Sequence, residues 1–212
     1  MEEILIPALW ETLYMVLIST VLAIVVGFIP AIIMIITYKD GLKPNAAVYK
    51  VFDVIVNVLR SFPFIILMIV LIPLTKFIVG KSTGTTAAIV PLTIGCAPFV
   101  TRIIESSLKE VDKGVIEAAK SFGASTFQIV FKVMLKEALP SIISGMTLTL
   151  ISMVGFSAMA GVIGAGGLGA VAMNYGYYAF KNDVLIVTVI VLIVLVQVLQ
   201  SIGTLIYKKV TK

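Results

Sequence analysis

Three stretches of this 212-residue chain combine residue types and spacings that suggest chemistry. Gly164-Ala165-Gly166-Gly167-Leu168-Gly169 has the glycine spacing of a dinucleotide-binding turn, and Gly80-Lys81-Ser82 ends like a phosphate-binding loop. Neither context supports that use. The first motif works between a strand and a helix of a soluble sheet, whereas here it follows a long uncharged segment. The second has Thr75 where the leading glycine of a phosphate loop is required. The third stretch is the charged break from Glu105 to Glu137, with the run Glu117-Ala118-Ala119-Lys120-Ser121-Phe122-Gly123 at its centre. Histidine is absent and Cys96 is the one cysteine, which removes the commonest proton relay and any internal disulfide. No nucleophile–base pair or metal cluster is present, so no enzyme activity, cofactor or metal is expected.

The elements that position the charged break are membrane-length. Hydrophobic residues make up 60% of the chain, charged residues 13%, and the mean hydropathy is +1.15. A soluble domain carries roughly 25% charged residues. Uncharged stretches run over 12–38, 61–75, 82–101, 138–180 and 184–207, and about 20 apolar residues cross a bilayer core as a helix. We therefore expect an all-α polytopic membrane protein forming one domain, 1–212. Its five helices are placed near 12–38, 54–79, 84–104, 141–163 and 184–207. A glycine-rich segment, 164–181, follows the fourth, partly re-entrant.

The net charge of +5 does not point to nucleic acid, because the basic residues are segregated. Lys39, Lys43, Lys50 and Arg60 follow the first stretch. Arg102, Lys109, Lys113, Lys120, Lys132 and Lys136 bracket the charged break, and Lys208, Lys209 and Lys212 close the chain. With those on the cytoplasmic side, only Lys76, Lys81 and Lys181 lie outside. That bias predicts an outer N-terminus and a cytoplasmic C-terminus. The first eleven residues hold Glu2, Glu3 and Glu11 without a basic residue, unlike a signal peptide.

Within the break, Leu108, Val111, Val115, Ala118, Ala119 and Phe122 recur at helical spacing, as do Phe127, Val130, Phe131, Met134 and Leu135. Gly123 between them, with Ala124 and Ser125 after it, predicts a corner joining two short amphipathic helices. Ser125 or Thr126 is placed to cap the second. The fourth span is rich in small residues, from Ser141 to Gly161, which suits close helix packing or a solute pathway. Met153 and Met159 are candidates for an adaptable plug.

Glu117-Ala118-Ala119 followed by Gly123 resembles the EAA loop of ABC importer permeases. The pattern continues with Val133 and Leu135, although Lys136 stands where proline is usual. Leu139-Pro140 is an alternative helix start, with Pro140 in the first turn. Arg60-Ser61-Phe62-Pro63-Phe64, Gly155-Phe156-Ser157-Ala158-Met159, and Gly164 to Gly169 followed by Asn174-Tyr175-Gly176-Tyr177 resemble the methionine-importer permeases most. The resemblance covers nearly the whole chain. It implies a homodimeric permease in the cytoplasmic membrane of a prokaryote, passing D- or L-methionine. Two ATP-hydrolysing subunits would seat on the loop, and an extracytoplasmic binding protein would dock on the outer segments 1–11, 76–84 and 164–183. Glu117, Ala118, Ala119, Gly123, Ala124 and Ser125 would form the ATPase-coupling corner, while Ser152, Gly155 and Met159 are candidates for the pathway. An ABC permease for another small amino acid is the alternative. An ion-coupled carrier fits less well, because the spans lack ionisable groups away from their inner ends.

Overall fold

A computed structural model of the chain describes residues 1–211. Nine α-helices are present among the described residues: α1 (Glu2–Thr37), α2 (Ala46–Ser61), α3 (Phe64–Val70), α4 (Ile72–Val79), α5 (Thr85–Lys109), α6 (Lys113–Ser121), α7 (Thr126–Val162), α8 (Gly167–Val171) and α9 (Asn182–Val210). Two stretches are π-helical, Ile129–Met134 within α7 and Ala172–Tyr178 directly after α8. Among the described residues there is no strand. Helices α1, α5, α7 and α9 are long and apolar enough to cross a membrane.

The second predicted helix, 54–79, is not continuous. Helices α2 and α3 meet at 103° across Phe62 and Pro63. Pro63 cannot donate its nitrogen, and it disfavours helical backbone at the residue before it. Phe62 accordingly has ψ 129°. A second proline, Pro73, removes a donor at the α3–α4 junction, yet Leu71 still donates to Leu67 O at 3.0 Å and Thr75 to Leu71 O at 2.8 Å. Residues 64–79 thus form a nearly continuous rod about 24 Å long at 1.5 Å per residue, short for a span. Counting the bent segment gives five candidate spans rather than four.

Helix α5 is the hub. In its most apolar window 72% of residues are buried, against 17% for α9. It packs along α1, where Gly27 permits the approach: a Cβ there would lie 2.6 Å from Ala97 O. Thr101 Oγ1 lies 3.0 Å from both Gly27 O and Ala97 O. The core runs from this seam (Ala23, Ala97, Val100, Ile104) to Leu108, Ile129, Val130 and Met134 beside the charged break.

Three further boundaries differ from expectation. The first helix begins not near residue 12 but at Glu2, so residues 2–11 are its opening turns. The second helix of the corner is no separate piece either; from Thr126 it runs without a break into the long α7. Pro140 does not start a helix but lies inside one.

Candidate functional site: the exposed corner

The corner is built by capping at both sides of a glycine. Asp112 Oδ1 accepts from Gly114 N at 2.7 Å and Val115 N at 3.3 Å, starting α6. The helix closes when Phe122 N donates to Ala118 O, Gly123 N to Lys120 O and Ala124 N to Ala119 O. Gly123 has φ +75°, a conformation that suits glycine at a helix C-terminus. Ser125, rather than Thr126, then caps α7. Its Oγ accepts from Gln128 N at 3.3 Å, and its own N–H donates to Gln128 Oε1 at 2.8 Å, a reciprocal capping box. Glu117, Ala118, Gly123 and Ser125 are exposed, while Ala119 and Ala124 are half-buried against the core. The structure therefore brings all six predicted corner residues into one turn.

The apolar stripe is only partly buried. Leu108, Val111, Ile129, Val130 and Met134 enter the core, but Phe122 is 91% exposed and Phe127 64%. Phe127 stacks on Phe131 at 4.4 Å between ring centroids, and Phe131 in turn lies 6.1 Å from Phe28 of α1. Phe122 and the open face of Gly123 thus lie side by side at the corner. Among the described residues, apart from its chain neighbours, nothing lies within 4 Å of a Cβ placed on Gly123.

Next to the corner is an ionic cluster that the sequence reading missed. Glu105 is 2% exposed. Its Oε1 accepts from Tyr49 Oη at 2.8 Å and Lys109 Nζ at 2.6 Å, and its Oε2 from Arg102 at 2.7 Å. Arg102 also binds Asp53 and, at 2.9 Å, Asn57 Oδ1. These bonds clamp the amphipathic α2 onto α5 at the end leading into α6. The spacing of Arg102, Glu105 and Lys109 was the available signal, since residues three and four apart share a helix face.

The predicted pathway residues fall on one side of α7. Ser152, Gly155 and Met159 are all exposed, in line with Leu148 and Val162. Met153 is fully buried, so it does not join Met159 in a plug; six residues apart, the two point in different directions. Several of the other small residues serve packing. A Cβ on Gly145 would strike Ile103, and one on Gly169 the backbone of Ala158.

At the opposite end of α7, the glycine run becomes a pinned turn. Gly167 N donates to Glu11 Oε2 at 2.7 Å, and Leu168 N to Thr12 Oγ1 at 2.9 Å. The free N–H groups that open α8 are met by side chains of α1, not by a phosphate.

Comparison with known proteins gives a consistent assignment. Residues 23–212 match the family described as binding-protein-dependent transport system inner membrane component. The chain is 49% identical over 209 residues to the probable D-methionine transport system permease protein MetI of Vibrio cholerae, covering 99% of this chain and 93% of that protein. It is 47% identical over 205 residues to the methionine import system permease protein MetP of Bacillus subtilis, covering 97% and 92%. The native crystal form of the inward-facing MetNI methionine ABC transporter superposes with a TM-score of 0.98 at 43% identity, covering 100% of this chain and 98% of that one. This chain belongs to the family of binding-protein-dependent transport system inner membrane components.

Proposed function

From that family membership we propose that the chain is the permease subunit of an ATP-driven methionine importer, translocating D- or L-methionine. The likeness to a D-methionine permease over 99% of the chain carries the reading. Two copies form the pathway, with the exposed faces of α7 opposed across it. Each copy crosses the cytoplasmic membrane of a prokaryote five times, the rod of α3 and α4 being the second crossing. The N-terminus lies outside and the C-terminus in the cytoplasm, as the distribution of basic residues favours.

Mechanism follows from the corner's construction. Two ATP-binding subunits seat on the two corners, each accepting Phe122 and the open surface at Gly123. Because α7 continues from the capping box of Ser125 into its membrane-spanning part, a displacement of the corner passes to the pathway face as a rigid tilt. The clamp at Glu105 carries the same movement to α5 and α2. On the outer side, a binding protein delivers the solute against residues 76–84 and the segment around 164–183. The chain supplies the route and the linkage, and the ATPase subunits supply the hydrolysis.

The test is reconstitution. Purified with its ATPase subunits in vesicles, with binding protein present, the complex is expected to accumulate labelled methionine only when ATP is supplied. Accumulation driven instead by a sodium or proton gradient without ATPase subunits would overturn the reading.

A further inference from the structure

Tyr49, Asp53, Asn57 and Arg60 recur at helical spacing and share one face of α2. The first three are committed to α5: Tyr49 to Glu105, and Asp53 and Asn57 to Arg102. Val51, Val54, Ile55 and Val58 form the other side, each about half exposed. Arg60 therefore sits on the polar face, and its guanidinium carbon lies 5.1 Å from the centroid of Phe99 on α5. Among the described residues it forms no ion pair. Attraction to a ring holds a guanidinium in place but leaves its five N–H donors free for an acceptor from outside the chain.

The neighbouring carboxylates are already taken. Glu105 is shared by Tyr49, Arg102 and Lys109, and Asp53 is bound to Arg102. These groups surround a cleft of about 340 Å³ lined by Arg60, Phe99, Arg102, Ser106 and Lys109, with Glu105 at its base. Three cations and two carboxylates leave one positive charge in excess, and Arg60 is the cation without a carboxylate. The cleft is also near the pathway face. Phe99 lies 6.3 Å from Phe156, the residue after Gly155, and Phe156 stacks on Phe64 at 4.4 Å.

We infer that Arg60 is a substrate-binding residue that receives the carboxylate of the transported amino acid in this cleft, as a late station on the cytoplasmic side of the pathway. The inference rests on the methionine-importer reading. A guanidinium fork matches a carboxylate with two parallel hydrogen bonds, and Phe99 beneath it fixes the plane of the fork. The thioether chain then has Phe99 and Ile103 to lie against. A lipid phosphate is the rival anion. The face of α2 suited to lipid is the Val51–Val58 side, away from Arg60, which favours a solute.

The experiment uses the nucleotide-free complex with its ATPase subunits in nanodiscs, carrying Ser106→Cys as a reporter at the cleft. Cys96 is 1% exposed and contributes little background. Millimolar methionine should slow labelling by a water-soluble thiol reagent at least threefold, whereas methioninamide, lacking the carboxylate, should not. Arg60→Gln should remove the protection and lower ATP-driven uptake at least tenfold, and Arg60→Lys should keep part of both. Equal protection by the amide, or protection that survives Arg60→Gln, overturns the assignment. So does protection by phosphatidylglycerol to which methionine adds nothing. An uptake panel on the unmodified complex separates the two levels of failure. If another amino acid is carried and methionine is not, the methionine reading falls, and that amino acid against its amide decides the role of Arg60.

Discussion

Gly123 and Gly167 have nearly the same φ, +75° and +77°, in opposite surroundings. A Cβ on Gly123 would meet nothing within 4 Å; one on Gly167 would lie 2.7 Å from Thr12 Oγ1 and 2.9 Å from the Met15 methyl. The first glycine is needed for the turn alone, and the space around it is left free. The second is needed for the turn and because α1 occupies the space. The corner at Gly123 is thus left open by its own chain, while the glycine segment around Gly167 is closed by α1. Substitutions at the two ends should fail in different ways, one in transport and the other in folding.

At the glycine segment the expected loss is one of stability. Gly169→Val drives a branched side chain into the backbone of Ala158, where neither helix can yield. Overpacking of this kind costs about 1–3 kcal/mol and more where only backbone is available to move. The folded, monodisperse yield in detergent should fall sharply; an unchanged elution profile would show that the segment is loosely held. A larger loss is expected from Glu105→Ala, which leaves Arg102 and Lys109 without their buried partner. Removing one member of such a cluster costs about 3–5 kcal/mol, read as a lowered Tm of the detergent complex. A shift of less than 1 °C would mean that α2 is not clamped to α5 through Glu105.

Smaller effects sharpen the contrast. Glu11→Gln keeps an acceptor for Gly167 N–H but loses the charge, and a cost of about 1 kcal/mol is expected. Phe122→Ala should be nearly neutral for stability, because the ring is 91% exposed. Its effect belongs to assembly: retention of the ATPase subunits during purification should weaken several-fold. Full retention would remove Phe122 from the contact surface.

What the sequence allowed to be read follows the range of the interactions. Corner residues from Asp112 to Gln128 bond to partners within about five positions, so Gly123 and the cap at Ser125 were visible from spacing. Long apolar runs likewise identified α1, α5, α7 and α9. The 103° bend at Pro63 is not legible in the same way, because a proline marks a break without giving its angle. Glu11 and Gly167 are 156 residues apart, and nothing in either local pattern pairs them. Phe122 was expected on the buried stripe. Periodicity placed it on the correct helix but could not say that the helix ends before the core reaches it.

The central claim is that the corner at Gly123 transmits work from ATPase subunits to the pathway. Gly123→Trp tests it in reconstituted vesicles, with ATP-driven methionine uptake measured beside the Tm of the purified permease. Forcing a side chain onto this backbone should cost about 1–2 kcal/mol, a small lowering of Tm in a protein that still inserts and dimerises. Uptake should fall at least tenfold. Normal ATP-driven uptake in that variant would contradict the account.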